Sequence, residues 1–172
     1  RLRDEGRVPM AVVANACTTA LGLYDPLRPI AEICRARGIW LHVDGAHGAS
    51  ALVSARLRGR LDGIALADSV VWDAHKMLGS ATLCAAVLVR EHATLDEAFR
   101  EEASYLFHDK DEPGIDFIHR TVECTKAAIG LKVFFALAGD GEAAIAATIE
   151  RQTDLAVAAA ARLRAEPGVT VA

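Results

Sequence analysis

Hydrophobic positions along this chain fall into blocks whose spacing switches between the strand and helix periods. Val8 to Thr19 is apolar with small residues and is bounded by Pro9 and Gly22, which predicts a buried strand with a polar exit. Asp25-Pro26 predicts a helix start, with Asp as N-cap and Pro at the first position; Ile30, Ile33 and Cys34 mark one apolar face and Gly38 the stop. Ile39 to Val43, IWLHV, reads as a short strand ending at Asp44-Gly45. Strand, helix and strand in that order form a βαβ unit, which predicts a parallel sheet.

Further along, residues 50–58 suit a short helix, and Leu61 to Ala67 with Val70 to Trp72 suit short strands. The continuous apolar run ATLCAAVLV, Ala81 to Val89, predicts another strand, and Glu91 to Phe99 turns helical. Residues 100–119 are polar and charged around aromatic residues, with Pro113-Gly114 as a turn signal, and read as a long exposed loop. Thr121 to Leu137 has helical spacing, Gly139-Asp140-Gly141 breaks it, and a second helix is expected from Glu142 to Ala165. The fold class expected is α/β: a sheet followed by two helices.

Composition narrows the partners. With 172 residues, 52% of them hydrophobic, the chain holds enough apolar material for a sizeable core. Its 19 basic and 23 acidic residues are scattered and leave a net charge of −4, without the Lys/Arg stripe that nucleic acid would need. No apolar run reaches the length of about 20 residues that spans a bilayer, and the four cysteines form no CxxC pair, so a soluble protein of a reducing cytoplasm is expected. Arg at position 1 and the closing EPGVTVA, a turn entering a strand, set the expectation of a fragment.

In open α/β sheets, ligands sit at the carboxyl ends of the strands. The chain's polar residues fall where those ends are expected: Thr18 and Thr19, Asp44, Asp68-Ser69, and His75-Lys76. Asp44 is either a turn cap before Gly45 or a carboxylate that needs a cation, and a protonated pyridine nitrogen would suit it. Lys76, in an otherwise apolar stretch, is either a snorkelling surface lysine or a partly desolvated amine suited to a Schiff base. A metal hydrolase built on His42, His47 and Asp44 is a further option, although His42 and Asp44 on one strand close no ligand set.

HVDGAHG followed by ADSVVWDAHKM resembles the group II pyridoxal-phosphate decarboxylases, the family of glutamate, aromatic-amino-acid, histidine and cysteine-sulfinate decarboxylases. The 32 residues between Asp44 and Lys76, and Cys84 in the strand after the lysine, agree with that pattern. The resemblance runs from Pro9 to the last helix. It implies part of a fold-type I large domain, a mostly parallel sheet flanked by helices, with residues 1–100 binding the cofactor, 101–119 as a mobile catalytic loop, and 120–172 leading into a small C-terminal domain.

By position, the resemblance makes Lys76 the Schiff-base lysine for pyridoxal 5'-phosphate and Asp44 the partner of the pyridinium nitrogen. It sets Ala46 against one ring face, Thr19 near the ring, and His75 toward the phosphate or the substrate carboxylate. Tyr105, in FREEASYLF, becomes the acid that protonates the substrate carbon; otherwise it is an aromatic anchor for the loop. A homodimer is implied, and an acidic substrate such as glutamate, aspartate or cysteine sulfinate is favoured. Transamination or aldol-type cleavage on the same fold, or a non-catalytic dimerising remnant, are the alternatives.

Several positions depart from the family. Cys17 stands where Gly is usual, Gly45 where Ala is usual, Asp73 where many relatives carry Asn near the phosphate, and Lys126 falls in a segment that commonly holds Gly-Arg. A carboxylate at Asp73 would repel a phosphate unless it is protonated or turned away. The stacking His and the phosphate loop of the family precede the stretch present here.

Overall fold

A computed structural model of the chain describes residues 5–99, 120–123 and 126–171. Two compact units divide them: Arg1–Leu88 with Ile129–Ala172, and Val89–Ala128.

In the first unit, β1 (Ala11–Asn15), β2 (Trp40–Asp44), β3 (Ser69–Asp73) and β4 (Ala85–Val89) lie in that spatial order. β1 to β3 are parallel, with Asn15 beside Asp44 and Asp44 beside Val71, so their carboxyl ends finish together. Leu41 and Val43 are buried, alternating along β2 with Trp40, His42 and Asp44, as the two-residue pleat requires. β1 is shorter and more open than the apolar run Val8 to Thr19 suggested. Among the described residues its strand partner is β2 alone, and Val13 is 61% exposed.

Between β1 and β2 runs α1 (Leu27–Arg37), the crossover of the expected βαβ unit. It ends at Gly38, whose φ of 63° is reached by Gly without strain, and Ile39 N–H closes the last turn on Cys34 O (3.0 Å). Its buried face is Leu27, Ala31 and Cys34. Ile33, expected on that face, is 52% exposed, because an entry at Leu27 sets the buried stripe at Leu27, Ala31 and Cys34. Asp25 is not the N-cap: its Oδ2 accepts from Asn15 N (2.7 Å) and Asn15 Nδ2 (3.1 Å), so it ties the helix entry to the end of β1.

From β2 to β3 the chain forms three short 3-10 turns, Gly48–Val53, Arg58–Leu61 and Ile64–Leu66. Leu61 to Ala67 is therefore not a strand; Gly63, at φ 94°, turns the chain against Arg28 with no room for a side chain. The short helix of the other unit is α2 (Ala93–Ala98), and the long helix of this one is α3 (Gly130–Arg164). Gly141 interrupts α3 with φ 79° and ψ 153°, at the break expected from Gly-Asp-Gly, and the helix begins at Gly130, later than Thr121. Ile145 and Ile149 of α3 join the core, and Arg56 binds Asp154 (2.8 Å) and the Glu150 carbonyl (3.1 Å).

In the second unit, Arg120 clasps Asp96 of α2 through Nε (2.6 Å) and Nη2 (3.2 Å). Lys126 Nζ donates to Glu123 (2.8 Å). Tyr105 and the rest of segment 101–119 lie outside the described residues. Among the described residues, no helix is long and apolar enough to cross a membrane.

Candidate active site

Backbone hydrogen bonds lace the three parallel strand ends together. Ala16 N donates to Asp44 O (2.7 Å), Gly45 N to Val71 O (3.1 Å), Gly48 N to Ala16 O (2.9 Å), and Asp73 N to Ala46 O (3.1 Å). Gly48 permits this approach, since a Cβ there would lie 2.6 Å from Ala16 C, Ala16 O and Cys17 N. The turns after β1, β2 and β3 thus meet around Ala46.

Asp44 is exposed at the end of β2, and its Oδ1 accepts from Ala46 N (3.1 Å). Its other oxygen has no partner among the described residues, so turn cap and ligand carboxylate are compatible roles for one side chain. Three residues beyond Asp73, Lys76 extends from a turn closed by Lys76 N donating to Asp73 O (3.1 Å), and its Nζ lies 2.8 Å from Asp73 Oδ2. The Lys76 side chain is 43% exposed, and a carboxylate faces its nitrogen.

Cys84 anchors His75 by its backbone. The ring Nδ1 lies 2.8 Å from Cys84 O and 3.2 Å from Cys84 N, and His75 N donates to the same carbonyl (3.3 Å). With Nδ1 engaged, Nε2 is the nitrogen left for a ligand. Ser80 donates its N–H to Ala74 O (3.0 Å), but its buried Oγ has no partner among the described residues. Neither feature is visible in the sequence, because both depend on the chain after Lys76 folding back on Ala74 and His75.

Thr19 is exposed in the loop after β1, which Thr18 closes through its hydroxyl and backbone onto Leu23. The Tyr24 hydroxyl is pushed up to about 12, first by burial and then by the Cys17 thiol, against the opposing pull of Arg60. Asp68-Ser69 does not belong to the site: with Leu61 to Ala67 not a strand, Asp68 precedes β3 and binds Leu41 N (2.7 Å). Ser69 Oγ meets Trp40 Nε1 (2.9 Å) and His42 Nδ1 (2.8 Å). Three strand ends converge, therefore, and not four. Among the described residues, no cluster of His, Cys, Asp and Glu is set to hold a metal.

The chain is 42% identical over 127 residues to an acidic amino acid decarboxylase of Mus musculus, covering 72% of this chain and 23% of that one. It is 38% identical over 155 residues to the cysteine sulfinic acid decarboxylase of Homo sapiens, covering 88% and 31%. An apo crystal structure of mouse CSAD superposes with a TM-score of 0.86 at 33% identity, covering 97% of this chain and 35% of that one. The chain thus spans about a quarter to a third of the length of the curated relatives it matches. The family described as pyridoxal-dependent decarboxylase conserved domain matches residues 1–171, and to that family this chain belongs.

Proposed function

We propose that the chain is the lysine-bearing part of a pyridoxal-phosphate-dependent enzyme that removes carbon dioxide from an acidic L-amino acid. The observation that carries this reading is Lys76 and Asp44 on neighbouring strand-end turns, joined through Ala46 by the Asp44 Oδ1 and Asp73 N–H bonds.

The donor set fits the cofactor. Lys76 offers a primary amine for its aldehyde, and the open oxygen of Asp44 offers an anion for its ring nitrogen. Ala46 has a side chain small enough to lie under a flat ring, and Thr19 stands on the adjoining loop. His75 Nε2 is free for the phosphate or the substrate carboxylate, and the orphan hydroxyl of Ser80 is a further buried donor close by in the chain. Bound pyridoxal phosphate supplies an electron sink for the carbon that loses its carboxylate.

The chain's own residues do the rest. Asp44 would favour a proton on the ring nitrogen by its charge, and Lys76 would hold the cofactor through its amine. Tyr105 delivers a proton to the substrate carbon, and segment 101–119 excludes water as a lid. An acidic substrate, such as glutamate, aspartate or cysteine sulfinate, is supported by what the relatives' names say of them. A homodimer and the fold-type I domain follow from the family resemblance, and the free thiols Cys17, Cys34 and Cys84 suit a reducing cytoplasm.

Borohydride reduction of the full-length, cofactor-loaded protein should tag the Lys76 peptide, and Lys76→Ala should lose both the tag and turnover. Supplied with the three acidic substrates, the protein should release carbon dioxide and an amine. A tag on another lysine, or a keto acid as product, would overturn the proposal.

A further inference from the structure

We infer that Lys132 is a positioning residue for His75: from the first turn of α3 it grips the chain at Thr82 and Leu83, and the backbone of Cys84 that follows them sets the imidazole. The inference rests on the reading of His75 as the side chain that meets the cofactor phosphate or the substrate carboxylate.

A lysine is poorly placed in the first turn of a helix, where the backbone amides already present partial positive charge, and the first turn of α3 carries no acidic residue to offset it. Lys132 finds its partners elsewhere. Its Nζ reaches back 50 residues to donate to Thr82 O (2.7 Å), and also to Leu83 O (3.1 Å). Two charge-assisted bonds from one ammonium fix the direction of both carbonyls. The base of this clasp is firm, because the next residue, Val133, packs against the core. What it holds is open to water: Thr82 is exposed and Leu83 is 73% exposed, so burial of apolar surface does not fix them.

Cys84 carries the grip inward. It is buried, and its Sγ lies 3.6 Å from Ile129 O at the start of the same helix. Its carbonyl lies 2.8 Å and its nitrogen 3.2 Å from His75 Nδ1, and the carbonyl also accepts from His75 N (3.3 Å). A shift of Thr82 and Leu83 therefore moves the atoms that hold Nδ1, and the ring turns Nε2 away from the place where it would meet a ligand.

The test is amide hydrogen exchange of the full-length protein, stripped of cofactor, read at single amides by fragmentation mass spectrometry. Lys132→Met keeps an unbranched stem and a good helix former but has no donor, whereas Lys132→Arg puts donors back. Exchange at His75 N and Cys84 N should quicken roughly 5- to 30-fold in Lys132→Met, the weight of one or two hydrogen bonds, and return to near the native rate in Lys132→Arg. Ala16 N and Gly48 N, which close the turns after β1 and β2, should exchange as in the native protein. Unchanged exchange at His75 and Cys84, equal quickening at Ala16 and Gly48, or no recovery with arginine would overturn the inference.

Cofactor affinity and the KM of an acidic substrate supply a second reading. If Lys132 acts through His75, the double variant His75→Ala with Lys132→Met should be no weaker in either than His75→Ala alone; losses that add would overturn the inference. Native-like values of both in His75→Ala would count against the site reading of His75, whereas exchange, which needs no ligand, decides whether Lys132 holds it.

Discussion

Gly48→Ala should loosen the site without touching any residue proposed to meet the cofactor. The added Cβ would fall 2.6 Å from three backbone atoms of Ala16 and Cys17, some 0.8 Å inside the 3.4 Å at which ordinary contact begins. Backbone yields less than a side chain, so the new methyl acts as overpacking and costs about 1–3 kcal/mol. Any shift that relieves it lengthens the 2.9 Å bond from Gly48 N to Ala16 O, worth about 1 kcal/mol more. Reduced freedom of the unfolded chain offsets about 0.4–1 kcal/mol, leaving a net loss of roughly 2–3 kcal/mol. Gly59→Ala is the control, since nothing lies within 4 Å of a Cβ there. Urea unfolding of both variants, with the native slope retained, measures the difference. Gly48→Ala within about 0.5 kcal/mol of native, the range of a neutral surface change, would refute the close approach of the turns after β1 and β2.

Asp44→Asn keeps an acceptor for Ala46 N and removes the charge, so turnover of the full-length protein should fall about 10²- to 10³-fold with stability little changed; native-like turnover would exclude the role. Tyr105→Phe should cut amine formation by about 10²-fold while cofactor and substrate still bind, and undiminished amine release would leave Tyr105 an anchor of its loop. The Tyr24 hydroxyl, raised to about 12 chiefly by burial, contributes stability in full below the unfolded tyrosine value of about 10. That contribution is lost as pH rises through the folded value. The phenolate difference spectrum between native protein and Tyr24→Phe should therefore appear near 12, and a step near 10 would contradict the burial.

Much of the fold was legible in local pattern. The βαβ unit, the Gly38 stop and the Gly141 break all rest on backbone rules that act within a few residues: alternation in IWLHV, helical spacing after Pro26, and the ease with which Gly takes positive φ. Lys76 and Asp44 were singled out through the resemblance carried by HVDGAHG and ADSVVWDAHKM, since local pattern by itself left a surface lysine and a turn cap open. Tertiary structure alone decided what those residues touch. Asp25 reads as a helix cap but serves Asn15, since β1 ends within its reach. Asp68 reads as a strand end but lies before β3, since Gly63 turns a run of strand-like composition into 3-10 turns. Asp73 reads as a hazard to a phosphate but finds a cation three residues on, and His75 is steered by the backbone of Cys84. Period and propensity act through neighbours in sequence, whereas partners of charge and hydrogen bond are set by which turns the sheet register brings together.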